Sequence, residues 1–130
     1  MNAKLTLVAT LIAASSALSV HAMTKAEYDS AKDRIEQTQK SEKKACDALK
    51  DNAKDVCEKE ADGKEKIAKA ELEQSYKPSA ANARKVQEVR ADVTRDIAEE
   101  KCDDLKGDAE KACENAAKNA HEAAKRNIKG

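Results

Sequence analysis

Four cysteines, Cys46, Cys57, Cys102 and Cys113, are the side chains most able to do chemistry here, because a thiol can ligate a metal, exchange disulfides or cross-link a fold. Within each pair the cysteines stand eleven residues apart. On an α-helix that is three turns, which puts both sulfurs on one face but about 16 Å apart. Two thiolates at that separation cannot share a zinc ion, and the C-x-x-C spacing of zinc sites and dithiol catalysts is missing. A bond inside one straight helix is also excluded, since a disulfide needs Cα atoms within about 7 Å. Two antiparallel helices meet these limits if Cys46 bridges Cys113 and Cys57 bridges Cys102. The centre of that register falls in Lys77-Pro78-Ser79-Ala80, beside the only proline. The spacing therefore predicts an all-α fold, a long antiparallel helical hairpin clamped by two nested disulfides.

The remaining candidates for chemistry are sparse. His121 is the only histidine beyond residue 22; it lies among alanines and charged residues and is expected on a solvated helix face. There is no Gly-rich phosphate loop, no G-x-S-x-G and no H-E-x-x-H. Carboxylates alternate with Lys and Arg at helical spacing, which is the ordinary surface of a long helix. No catalytic residue, metal site or cofactor is expected, and the chain does not read as an enzyme. The alternative is a thiol-based metal-binding or redox protein that uses the reduced cysteines.

The elements that position these residues are helical. Thr24 and Glu27 form a capping box at the start of the first helix, and Ser79 can cap the second. The first helix is expected over about 24–76, a turn at 77–80 and the second helix over about 80–128. An apolar stripe built on spacings of three and four runs through Tyr28, Ala31, Ile35, Ala45 and Cys46, Leu49, Ala53, Val56 and Cys57, Ala61, Ile67 and Ala68, Leu72 and Tyr76. Glu42 and Lys64 interrupt it, and Gly63, about 1 kcal/mol less favourable in a helix than Ala, predicts a bend or fray rather than a break. An internal repeat reads C-D-x-L-K-x-x-A-x-x-x-C-E-x-x-A from Cys46 and again from Cys102, 56 residues on. Glu65 is the counterpart of His121 in that repeat.

Composition bounds what such a hairpin can do. With no Trp or Phe, few large aliphatics and much Ala, its core is thin and needs covalent help or a partner. The 25 Lys and Arg balance 25 Asp and Glu, interspersed, so no field favours nucleic acid or an anionic membrane. Residues 1–22 read as a secretory signal, with Lys4, an apolar run from Leu5 to Ala14 and cleavage after Val20-His21-Ala22. Export to an oxidising compartment accounts for an even number of cysteines. No later segment is apolar enough to insert in a membrane.

The segments Met23-Thr24-Lys25-Ala26-Glu27-Tyr28 and Ala45-Cys46-Asp47-Ala48-Leu49-Lys50-Asp51-Asn52-Ala53-Lys54-Asp55-Val56-Cys57 resemble a group of small exported proteobacterial proteins with paired C-x10-C helices. Some carry the label TolA-like cell envelope protein. The paired cysteine helices also resemble, in architecture, the twin C-x9-C hairpins of the mitochondrial intermembrane space. The first resemblance brings no active site. The signal, the clamped rod and the missing catalytic groups lead to the expectation of a non-enzymatic periplasmic helical-hairpin protein, a structural or protein-interaction module of the cell envelope whose Ala-rich stripe is covered by a protein partner or by self-association.

Overall fold

The structure, a computed structural model, describes residues 22–129; the secretory-signal reading of residues 1–22 therefore lies outside the described residues, Ala22 excepted. The fold is all-α, as the spacing predicts, but it has four helices: α1 (Lys25–Cys46), α2 (Asp51–Tyr76), α3 (Ala80–Cys102) and α4 (Asp108–Lys129).

α1 begins where the capping box places it. The Thr24 backbone N–H donates to Glu27 Oε2 at 2.8 Å, and the Glu27 N–H donates to Thr24 Oγ1 at 3.3 Å. Helix-forming Ala, Lys, Glu and Gln carry it to Cys46. There the chain tightens into turns, with the Leu49 N–H on the Cys46 carbonyl at 2.9 Å. Lys50 is extended, and Asp51, the first residue of α2, adopts the left-handed conformation at φ 52°. The corresponding turn between α3 and α4 has the Leu105 N–H on the Cys102 carbonyl at 2.8 Å, with Gly107 at φ 66°. Between α2 and α3, Pro78 holds Lys77 out of the helical region, and the Ser79 hydroxyl accepts from the Asn82 N–H at 3.0 Å.

Two expectations are corrected by these turns. Neither helix 24–76 nor helix 80–128 is continuous, and the disulfides are not nested. Cys46 bonds Cys57, and Cys102 bonds Cys113, each with Cα atoms 5.7 Å apart. The exclusion of these local pairs assumed an unbroken helix between partners. Folding back at residues 47–50 and 103–107 removes the three intervening turns and brings the partners together. The central antiparallel pairing about Pro78 does form: Lys59 meets Glu100 at 3.3 Å, Lys101 meets Glu60 at 3.0 Å, and Arg90 pairs with Glu71.

The molecule is thus two tandem helical hairpins, α1–α2 and α3–α4, joined through α2 and α3. Each helix packs against its sequence neighbours, and α1 touches neither α3 nor α4. This nearest-neighbour pattern is that of a two-repeat helical solenoid. Between α2 and α3 the packing is close at Gly63, where an added Cβ would stand 2.5 Å from Val93 Cγ1. The bend or fray expected at Gly63 does not occur; α2 runs through it, and the glycine is buried because it admits Val93. Leu72, Val86, Val93, Ala61 and Ala117 form the thin apolar core with Cys46 and Cys102.

Candidate functional site

Small buried residues set the site. Ala61 in α2 and Ala117 in α4 let their hairpin partners approach, and a groove opens beside each. The α1–α2 groove has a volume of about 330 Å³ and the α3–α4 groove about 390 Å³. All ten residues lining the first recur, at the same 56-residue offset, among those lining the second. Arg34 and Arg90, Thr38 and Thr94, Ala61 and Ala117, and Ala68 and Ala124 are identical pairs. The duplication read from the cysteine segment therefore extends over both hairpins and copies a surface as well as a turn.

The two grooves lie on one face. Lys64 borders both the α1–α2 groove and a third groove between α2 and α3; Thr94 and Ala98 border that third groove and the α3–α4 one. Ile67, Val93 and Ile97 make the middle groove apolar. On the other side of α3, by helical periodicity, Asp92, Asp96, Glu99 and Asp103 form a charged face with Lys59, Lys66 and Lys118. The array is consequently amphipathic across its thickness, and nothing within the described chain covers the grooved side.

His121 departs from the solvated position expected of it. It is 7% exposed, and its Nε2 lies 2.6 Å from Asp92 Oδ1, so an Nε2–H donates to the carboxylate and ties α4 to α3. Ala117, His121 and Ala124 share the inner stripe of α4, which was the available sequence signal. In the first hairpin the corresponding residues are Glu36 and Glu65, and both meet Lys69 Nζ, at 3.0 and 2.7 Å. These two carboxylates raise the Lys69 ammonium above its ordinary range, and the hydrogen bond from Lys69 holds the Glu36 carboxyl below its own. The same helix–helix position is thus an acid–lysine–acid clamp in one repeat and an acid–histidine clamp in the other. Among the described residues no group of three His, Cys, Asp or Glu side chains could hold a metal ion.

The predicted site residues are accounted for by place. Thr24, Glu27 and Ser79 cap helix starts. All four cysteines are in disulfides, leaving no free thiol to act as a ligand in this form. The two disulfide-closed turns lie at the same end of the array, because α1 and α3 both run toward it. Leu49 and Leu105 occupy equivalent places in them and are the large hydrophobics left most open, at 43% and 40% exposure. No helix among the described residues is long and apolar enough to cross a membrane. No protein-family model, curated protein or solved structure matches this chain.

Proposed function

We propose that this protein is a non-enzymatic interaction module of the bacterial cell envelope, exported to the periplasm by residues 1–22 and working through its grooved face. The duplicated groove carries the reading: a repeat that preserves an uncovered surface as well as its fold points to contact with another macromolecule. Two local disulfides support an oxidising compartment. The thin core supports a binding partner or self-association, since two repeats alone bury little. Shallow grooves left open to solvent favour a protein surface over an enclosed small molecule.

A photo-crosslinking amino acid placed at Thr38, at Thr94 or, on the charged face, at Lys118 tests it in intact cells. Adducts of one defined mass from Thr38 and Thr94 and none from Lys118 are expected. Equal labelling from all three positions, or none from any under several growth conditions, rejects the reading.

A further inference from the structure

Turn one is not encoded by its own residues. Asp47, Ala48, Leu49 and Lys50 include neither Gly nor Pro, and Ala, Leu and Lys are good helix formers. α1 and α3 start under side-chain caps, but α2 starts at Lys50 with no capping hydrogen bond. Asp51 takes a left-handed conformation that costs a side-chain-bearing residue, whereas its counterpart Gly107 takes it freely. α1 itself buries only Cys46. Across the turn itself only the Asp47–Lys54 ion pair, at 2.9 Å, joins the disulfide, so the Cys46–Cys57 bond is the main hold on the fold-back at this point, with polar α1–α2 contacts further along.

A straight path is equally well prepared. The stripe of Ile35, Cys46, Leu49, Ala53, Cys57 and Ala61 keeps helical spacing through the turn, so a continuous α1–α2 helix carries it along one side. Leu49, exposed in the hairpin, is an inner position of that stripe. The antiparallel contacts of α1 with α2, such as Glu42 with Lys64 at 3.0 Å and Lys43 with Asp62 at 3.2 Å, are self-complementary about the turn. Two straightened copies laid antiparallel make every one of them between chains.

We infer that reducing the Cys46–Cys57 disulfide converts the protein into a dimer in which two copies exchange α1, each fusing α1 and α2 into one helix. A dithiol protein of the disulfide-exchange class supplies two electrons and two protons. The S–S bond breaks, two thiols form, and the reductant leaves as its own disulfide. Freed of the clamp, residues 47–50 join the helix, Asp51 leaves its left-handed conformation, and Leu49 is covered at the crossing. The α1–α2 contacts are retained, now across the two-fold. The second hairpin does not exchange, because Gly107 both favours its turn and weakens a helix through it.

The test is light scattering on size-exclusion eluates of the C46S/C57S and C102S/C113S proteins over a range of concentrations, with circular dichroism. C46S/C57S is expected to double its mass as concentration rises and to gain helical signal, while C102S/C113S stays monomeric. Adding D51G to C46S/C57S should raise the concentration at half-dimerisation by about a hundredfold, since two turns per dimer are relieved of strain and each fused helix gains a glycine. The unsubstituted protein, reduced and then reoxidised at high concentration, should yield a covalent dimer through Cys46 of one copy and Cys57 of the other; this measurement decides the matter if C46S/C57S does not fold. A C46S/C57S chain that remains monomeric with unchanged helicity, equal dimerisation of C102S/C113S, or reoxidation to monomer alone overturns the inference.

Discussion

Gly63 shows how one missing side chain sets the spacing of two helices. Glycine inside a helix ordinarily costs about 1 kcal/mol relative to alanine, yet at Gly63 a Cβ would strike Val93. Overpacking of this kind costs about 1–3 kcal/mol, so Gly63→Ala is expected to destabilise the protein by about 1–2 kcal/mol in urea melts. Adding Val93→Ala should recover much of that loss relative to Val93→Ala alone. The left-handed positions make a matched pair. Gly107→Ala should cost about 1 kcal/mol and Asp51→Gly should stabilise the oxidised protein by about 0.5–1 kcal/mol, because only the first introduces a Cβ at positive φ. Opposite signs in equilibrium unfolding are the result to look for. Gly107 was also the one local sign of a break in the sequence, and it concerns only the second repeat.

At the scale of elements, α1 is held by a bond at one end and by polar contacts along its length. Tyr28 stacks on Tyr76 with ring centroids 4.6 Å apart and donates to Glu73 at 3.0 Å. The Lys69 hydrogen bond holds Glu36 below the usual carboxyl range, and the Thr24 backbone N–H holds Glu27 there as well. A carboxyl with a depressed folded-state value contributes stability above its unfolded value, about pH 4.3, and loses it as pH falls through the folded value. Both groups are exposed and the effect is screened. Hydrogen exchange in α1, corrected for intrinsic rates, should therefore accelerate more than in α3 as pH drops below about 4, and salt should reduce the difference. What the sequence made legible belongs to this scale: the Thr24 and Ser79 caps, the Pro78 turn and the α2–α3 register each rest on a few neighbouring residues. The breaks after Cys46 and Cys102 do not. Equal cysteine spacing suits both nested bridges between straight helices and local bridges across folded ones. At Asp47–Lys50 helix-forming residues actively favour the wrong choice.

At the scale of the whole molecule, two repeats of helical hairpin bury few side chains completely, and most of those are small. Each local disulfide closes a loop of about a dozen residues and contributes on the order of 3 kcal/mol by loop entropy. That is a large share of the stability of a small domain. Neither bond spans the α2–α3 interface, so that interface depends on non-covalent contacts, among them Gly63, Ile67, Leu72, Val86, Val93, Ile97 and the cross-helix ion pairs. The duplicated grooves were not legible in advance because their match is one of place. Only a few of the ten positions keep their residue, and the alanine-rich background hides the rest. His121 was misplaced for a related reason, since its partner Asp92 lies 29 residues away on the neighbouring helix.

The first cysteine bonds the second and the third bonds the fourth. For a polypeptide that emerges from its channel N-terminus first, Cys57 arrives shortly after Cys46, and both can be joined before Cys102 appears. An oxidant that links cysteines in order of arrival makes both bonds correctly, and no enzyme that rearranges mispaired bonds is required. Nested bridges would have imposed the reverse, with Cys46 waiting for the last cysteine of all. The protein should consequently reach its full yield, with Cys46–Cys57 and Cys102–Cys113, in cells lacking disulfide isomerase activity, as peptide mapping under non-reducing conditions can establish. Accumulation of Cys57–Cys102 species in such cells would show that proximity along the chain does not govern the pairing.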